Sequence, residues 1–174
     1  MFPEVKDYGG FNPESFEEYY GRLTPDLKRV PKDVIEQWVH YHWQCFTEWM
    51  ILSPHKWKYY LYHFKNKQVA EIDHIGDWIS TLDAEGEEYV TGKPRSKSWL
   101  CQHMLKSGTF PRPIIVAKNA ESFDHPRGLR GEKMKPGLQL IEGHCRLAIL
   151  RGMINAKCKN LKAKHKIWLV EINA

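Results

Sequence analysis

The chain has 174 residues, 13% of them aromatic with seven Trp, 27% charged, and a formal net charge of +5. That length suits one domain, or one domain with an extension, and can bury a real core; no run of about 18 uncharged apolar residues exists, so no membrane span is expected. The opening Met1-Phe-Pro-Glu-Val-Lys-Asp lacks the regions of a signal peptide, and Cys45, Cys101, Cys145 and Cys158 form no C-x-x-C pair. A soluble, reduced, cytoplasmic protein is therefore expected rather than a disulfide scaffold.

Residues 1–55 read as an aromatic-rich helical N-terminal extension, followed by a domain over 56–174. Asn12-Pro13-Glu14 combines a cap, a proline at a first helical position and an early acid, which predicts a short helix through Phe16, Tyr19 and Tyr20. Pro31 opens the longest expected helix, with Ile35, Trp38, Val39, His42, Phe46, Trp49 and Met50 on one side, closed by Ser53-Pro54. His40 and His42 are two apart and share no helical face, and no third ligand stands at metal-site spacing, so no metal is assigned.

Lys56 to Phe64 is rich in strand formers and reads as a strand at a sheet edge. Gln68 to Leu82 carries apolar residues at helical spacing (Val69, Ile72, Ile75, Ile79) and predicts an amphipathic helix. Ala84 to Arg95 reads as a loop with a short strand at Tyr89-Val90. Ser96 caps an expected helix to Lys106 that Gly108 ends. Pro113-Ile-Ile-Val116 is a fully apolar strand of the kind found inside a mixed or parallel sheet. Asn119 to Gly137 is a long loop with the cations Arg127, Arg130, Lys133 and Lys135 among Gly128 and Gly131. A loop of this length is functional or a surface insertion; Arg127 and Arg130 are the candidates to cover a phosphate or a DNA backbone.

Leu138, Leu140 and Ile141 then form a short apolar run, and Leu147, Leu150 and Ile154 repeat at helical spacing. Between them, Glu142-Gly143-His144-Cys145 is a turn that feeds a helix N-terminus. Such a turn aims backbone N–H groups and the positive end of the helix dipole at one spot, which favours an anion. Gly143 permits the tight turn and close approach of a phosphate. Arg146 either neutralises that phosphate with paired hydrogen bonds or bridges to Glu142. His144 is either a general base or a cap and phosphate donor. Glu142 either holds a Mg²⁺ bound to substrate phosphates or orients His144. Cys145 is either a small buried side chain or, at a helix N-terminus, a nucleophile of lowered pKa. Ile167 to Ile172 is the final strand.

Charge is distributed unevenly. From Arg127 to Lys166 eleven Lys or Arg face only two acids, Glu132 and Glu142, while the rest of the chain is net negative. Such a field draws nucleotides or polyanions, or is simply a solvated lysine face.

The order of helix to Gly108, strand 113–116, strand 138–141, Gly-His-Cys-Arg turn, helix to Gly152 and strand to Ile172 resembles the ParB/sulfiredoxin superfamily. Its members carry a Pro-Ile-x-Val strand and an Ile-(Asp/Glu)-Gly-His-x-Arg-x-x-Ala-like turn, here Pro113-Ile-Ile-Val116 and Ile141-Glu-Gly-His-Cys-Arg-Leu-Ala148. The likeness covers roughly residues 70–172. It implies a small α+β fold with a mixed sheet that binds nucleotide phosphates at this turn, with CTP or ATP and Mg²⁺ as the implied ligands. Hydrolysis of CTP or ATP, nuclease activity, protein phosphorylation and sulfinic-acid reduction occur among its members. ParB proteins show Gly-Glu-Arg-Arg where this chain has His144 and Cys145, and sulfiredoxin has its Cys and His in the other order; Gly143 and Arg146 match both. No helix-turn-helix region follows the turn.

Three functions are expected in order: a nucleotide-binding protein or nucleoside-triphosphate hydrolase acting through Glu142, Gly143, His144, Cys145, Arg146, Arg127 and Arg130; a DNA-binding protein or metal-assisted nuclease; and a non-catalytic module that docks a protein partner through the Trp38–Trp49 helix.

Overall fold

A computed structural model of the chain describes residues 1–92, 94–126 and 132–172. The chain forms two compact units, residues 1–59 with the C-terminal Ile172, and residues 60–171. Both helices and a mixed sheet are present, so the fold is α+β. Among the described residues no helix is long and apolar enough to cross a membrane.

The first unit is built on aromatic packing. Helix α1 (Phe16–Gly21) starts at Ser15 rather than at Asn12, because the Ser15 side chain and Glu18 satisfy each other's backbone N–H in a capping box. The single long helix expected after Pro31 is broken. A short α2 (Lys32–Val34) runs into a π-helical stretch, Ile35–His40, where Tyr41 N–H reaches back five residues to Glu36 O at 3.0 Å. His42 leaves the helical region (φ −117°, ψ 37°) before α3 (Trp43–Trp49) begins. In a continuous helix Trp38 and Trp43 would sit about 140° apart. The wide turn and the break bring both to one interior, with Trp38 4.9 Å and Trp43 6.0 Å from the Phe46 ring. Trp38, Trp43, Phe46 and Trp49 are all buried, so these four rings are core. His40 is engaged with the Glu14 carbonyl, 2.7 Å from Nε2.

In the second unit the elements are β1 (Lys58–Lys65, whose first two residues belong to the other unit), α4 (Asn66–Ala70), α5 (Trp78–Val90), α6 (Trp99–Ser107), β2 (Ile114–Asn119), β3 (Phe123–Asp124), β4 (Lys133–Met134), β5 (Gly137–Glu142), α7 (His144–Asn155) and β6 (Lys164–Glu171). The sheet order is β1-β6-β2-β5, with β2 parallel to β6 and antiparallel to β5; β3 and β4 form a separate small hairpin. Ile114, Val116, Leu140, Ile167 and Leu169 point to one face and pack with Leu82, Met104, Leu147 and Leu150 from α5, α6 and α7.

Two expected elements change. The helix predicted over Gln68–Leu82 stops at Ala70, because Asp73 pairs with β5 instead: its N–H donates to Leu138 O (2.8 Å) and its carbonyl accepts from Leu140 N–H (2.9 Å). Ile72 and Ile75 are buried as that sequence pattern asks, but from non-helical backbone on either side of the Asp73 bridge. The loop expected over Ala84–Arg95 is instead the second half of α5, up to Val90. Gly86 there is a helix-crossing contact, since a Cβ on it would stand 2.3 Å from the Ala148 carbonyl oxygen, and one on Gly152 would stand 2.2 Å from the Gly86 oxygen. Gly152 therefore lies inside α7 rather than ending it. Arg151 of α7 locks this crossing with a two-pronged pair to Asp83 of α5 (2.6 and 2.8 Å) and a bond to the Ala70 carbonyl (2.8 Å). Ser98, not Ser96, caps α6, while Gly108 ends it at φ 73°.

Candidate functional site

The sheet delivers β5 into α7 through Gly143. A register shift between Ile115 and Val116 opposite the end of β5 turns the strand just before it. Gly143 has φ 108°, and a Cβ there would stand 2.5 Å from Ile114 Cγ2. Only glycine fits both constraints. Gly143 at the N-cap has no side chain with which to cap α7, and the first turn is the anion-favouring end of the helix.

Arg146 makes the bridge to Glu142, one of its two expected roles. Its guanidinium donates to the carbonyls of Arg112 and Pro113 (3.1 Å each) and to Glu142 Oε1 at 3.2 Å. Burial pulls its pKa below the ordinary guanidinium value and Glu142 pushes it back; it stays charged. Arg146 thus clamps the start of β2 to the turn. Glu142 is engaged in the same pair through Oε1. Cys145 is exposed rather than buried. It lies beside Tyr89 of α5, whose phenol is held above its ordinary pKa first by burial and then by the Cys145 thiol. Arg127 and Arg130 lie outside the described residues.

The structure adds three residues that the sequence did not suggest. His74 follows the Asp73 bridge, His125 sits in the β3–β4 hairpin with its N–H on the Glu132 carbonyl (3.3 Å), and Trp78 opens α5. Their rings meet His144: His74 is 4.9 Å from His144 and 5.4 Å from His125, and Trp78 is 6.1 Å from His144. His74 and His125 are buried while Trp78 is 50% exposed, so the cluster has an aromatic rim facing solvent. Lys135 stands at the same place, 3.5 Å from the Asp73 carboxylate.

Hydrogen bonds settle where the protons are. His74 Nδ1 accepts from the Ile75 N–H at 2.8 Å, so its proton is on Nε2. That Nε2–H faces His144 Nε2 at 2.8 Å and must donate to it. The proton of His144 is therefore on Nδ1. Burial, then the neighbouring His144 and His125, push the His74 pKa down to about 3, so it stays neutral at ordinary pH. With both its ring nitrogens engaged, His74 cannot ligate a cation, and among the described residues no three His, Cys, Asp or Glu side chains form a metal site.

A groove of ≈ 400 Å³ lined by Asp83, Glu87, Val90, Thr91 and Asn155 opens at the other end of α7, roughly 15 Å from His144. Of its two carboxylates Asp83 is paired with Arg151, and the groove is separate from the turn. Comparison of the chain with known protein families, with characterised proteins and with solved structures finds no match.

Proposed function

We propose that the β5–α7 turn binds the phosphate of a nucleotide, the activity implied by the resemblance of Ile141–Ala148 to the ParB/sulfiredoxin motif. One observation carries the reading: at the start of α7, behind the Gly143 N-cap, His144 is held by His74 in the tautomer that keeps a proton on Nδ1. A helix start with backbone N–H groups and an oriented imidazole donor is complementary to a phosphate oxygen. Trp78 supplies a half-exposed ring beside it on which a base can stack. Arg146 serves the site by holding the turn rather than by touching the anion.

The same bond bears on hydrolysis. A general base needs a free lone pair, and the Nε2 lone pair of His144 is occupied by His74. Binding is therefore the reading adopted, and nucleoside-triphosphate hydrolysis requires His74 to release that nitrogen first. Mg²⁺, where a triphosphate brings it, would be held chiefly by the phosphates. The four cysteines are unpaired, in keeping with a reducing compartment, and we place the protein in the cytoplasm.

The test is a thermal-shift panel of CTP, ATP and GTP, with and without Mg²⁺, on the wild type and His144→Ala. A ligand at about a hundred times its dissociation constant adds roughly 2.7 kcal/mol to the wild type. The variant should lose most of that shift. Equal shifts in both proteins, or no shift with any nucleotide, would overturn the assignment.

A further inference from the structure

Strand β1 ends the sheet on its side, with β6 as its neighbour. Among the described residues, 60–64 make no backbone hydrogen bond outside that sheet. Every second N–H and C=O along about 16 Å of the outer edge is therefore open to another strand. The open row ends at Lys65, whose N–H donates to Gln68 Oε1 at 2.9 Å as α4 begins. Natural edges are commonly guarded by a proline or by a charge in mid-strand. Residues 60–63 are instead Tyr-Leu-Tyr-His, and all four are exposed, Leu61 at 46% and Tyr62 at 49%.

Strand alternation divides the side chains of this corner between two faces. Phe64 of β1 belongs to the helix-covered core, as do Ile167 and Leu169 of β6. His165, two residues before Ile167, shares that face and meets the Phe110 ring at 5.8 Å. Leu61, His63 and Lys65 of β1 and Lys164 and Lys166 of β6 therefore lie on the opposite face. The two strands are tied at this point, because His165 Nε2 meets the Oδ1 of Asn66, the residue after Lys65, at 2.7 Å. Lys65, Lys164 and Lys166 thus stand together on one face at one end of the open edge. All three are exposed, and among the described residues none has a carboxylate within ion-pair distance. No Asp or Glu occurs in 60–70 or in 143–170. An edge lysine such as Lys65 can guard against strand pairing, but Lys164 and Lys166 belong to an interior strand, where that role does not arise.

We infer that β1 receives an extended peptide as a fifth strand of the sheet, β-branched or apolar where it passes Tyr60, Leu61 and Tyr62 and acidic where it passes Lys65, Lys164 and Lys166. In this mode the backbone ladder supplies the binding and the side chains select the partner. Aromatic residues across from β-branched ones, and opposite charges across the strand pair, both favour such a match. A second copy of the chain fits less well, since its own β1 edge is equally free of acid and leaves the lysines unmatched. The turn at Gly143 follows β5, the strand at the other edge of the sheet, so this surface does not rest on the nucleotide reading.

The probe is a fluorescein-labelled peptide, Glu-Glu-Val-Thr-Val-Thr-Val-Glu-Glu, read by anisotropy at low salt. The wild type should bind it and should not bind the same peptide with Lys in place of every Glu. N-methylating its Val amides or, separately, its Thr amides removes either the row of donors facing β1 or the row facing away. One form should lose binding and the other keep it. Lys164→Gln/Lys166→Gln should weaken binding roughly two- to thirty-fold and flatten its salt dependence. In hydrogen exchange, the amides of 60–64 that exchange fast in the free protein should slow when the peptide is bound. Both lysines are exposed, and circular dichroism and the melting temperature confirm that the variant folds. His144→Ala should bind the peptide as the wild type does. No binding of the acidic peptide, equal binding of its lysine form, binding that survives both methylations, or an unchanged affinity in the lysine variant would each overturn the inference. So would a concentration-dependent dimer in sedimentation that Tyr62→Lys dissolves, since a second copy would then hold the edge.

Discussion

Gly152→Ala gives the sharpest test of how α7, and with it His144, is placed. In an ordinary helix interior this change stabilises by about 1 kcal/mol, because alanine loses less backbone entropy. Here the added Cβ would stand 2.2 Å from the Gly86 oxygen and 2.6 Å from its carbonyl carbon, where ordinary contact begins at 3.4 Å. Both neighbours are backbone atoms and cannot rotate aside, so α5 and α7 must part by more than an ångström. Overpacking of this kind costs typically 1–3 kcal/mol; since backbone meets backbone, the upper part of that range applies. After the helix-propensity gain, the net loss is about 2 kcal/mol. For a chain of this size that lowers the melting temperature by roughly 4–8 °C, readable by calorimetry or by the urea midpoint. Gly21→Ala is the control: nothing lies within 4 Å of its Cβ position, and its melting temperature should hold or rise slightly. A Gly152→Ala protein as stable as the wild type, or more so, would refute the close crossing of the two helices.

Acid should destabilise the protein through its buried histidines. Burial pushes the pKa of His165 down to about 4 and that of His74 to about 3, while unfolded histidine titrates near ~6.5. Below pH ~6.5 the unfolded chain binds protons that the folded chain refuses, so stability is full above that value and is lost as pH falls toward the folded values. The slope reaches at most about 1.4 kcal/mol per pH unit for each histidine; urea midpoints across that range should show it, and His165→Gln should flatten the profile. A profile as steep in His165→Gln as in the wild type would remove His165 from the account. Arg146→Ala should cost about 2–4 kcal/mol without any nucleotide present, because it takes the guanidinium away from the largely buried Glu142 Oε1 and from two backbone carbonyls. Arg146→Lys should recover part of the loss, keeping the charge but not the fork that reaches two carbonyls; an unaltered urea midpoint in Arg146→Ala would count against the clamp.

The strands were legible because each is apolar on its own terms. Ile114, Ile115 and Val116 are buried on both faces, and a run of that kind reads as a central strand wherever it occurs. The exposed pattern of Lys58–Lys65 likewise fits an edge. Helices fared less well where tertiary contacts overrode periodicity. Val69, Ile72 and Ile75 keep helical spacing, yet two backbone hydrogen bonds to β5 draw Asp73 into the sheet. Ala84 to Glu88 looks loop-like for its glycine and acids. In α5 that glycine is instead the point of closest approach to α7, and Glu85 and Glu88 face out to meet Arg95. Propensity carries no information about which helix lies opposite.

The same break in periodicity explains why half of the candidate site stayed hidden. His144 is conspicuous, since it stands in a strand–glycine–helix turn. His74 lies seventy residues earlier, inside what reads as a helix, and nothing in its spacing pairs it with the turn. It arrives there only because Asp73 joins β5 beside Gln139, one strand length before Gly143. That placement also decides chemistry that residue types leave open. An isolated histidine at a helix start can donate, accept or titrate. Once Ile75 fixes the His74 tautomer and His74 occupies Nε2 of His144, a single arrangement of protons satisfies both bonds. Protonating either ring would place two N–H groups face to face or forfeit the Ile75 bond. The pair therefore holds His144 in one tautomer with its proton on Nδ1, which on the proposed reading suits holding a phosphate better than abstracting a proton.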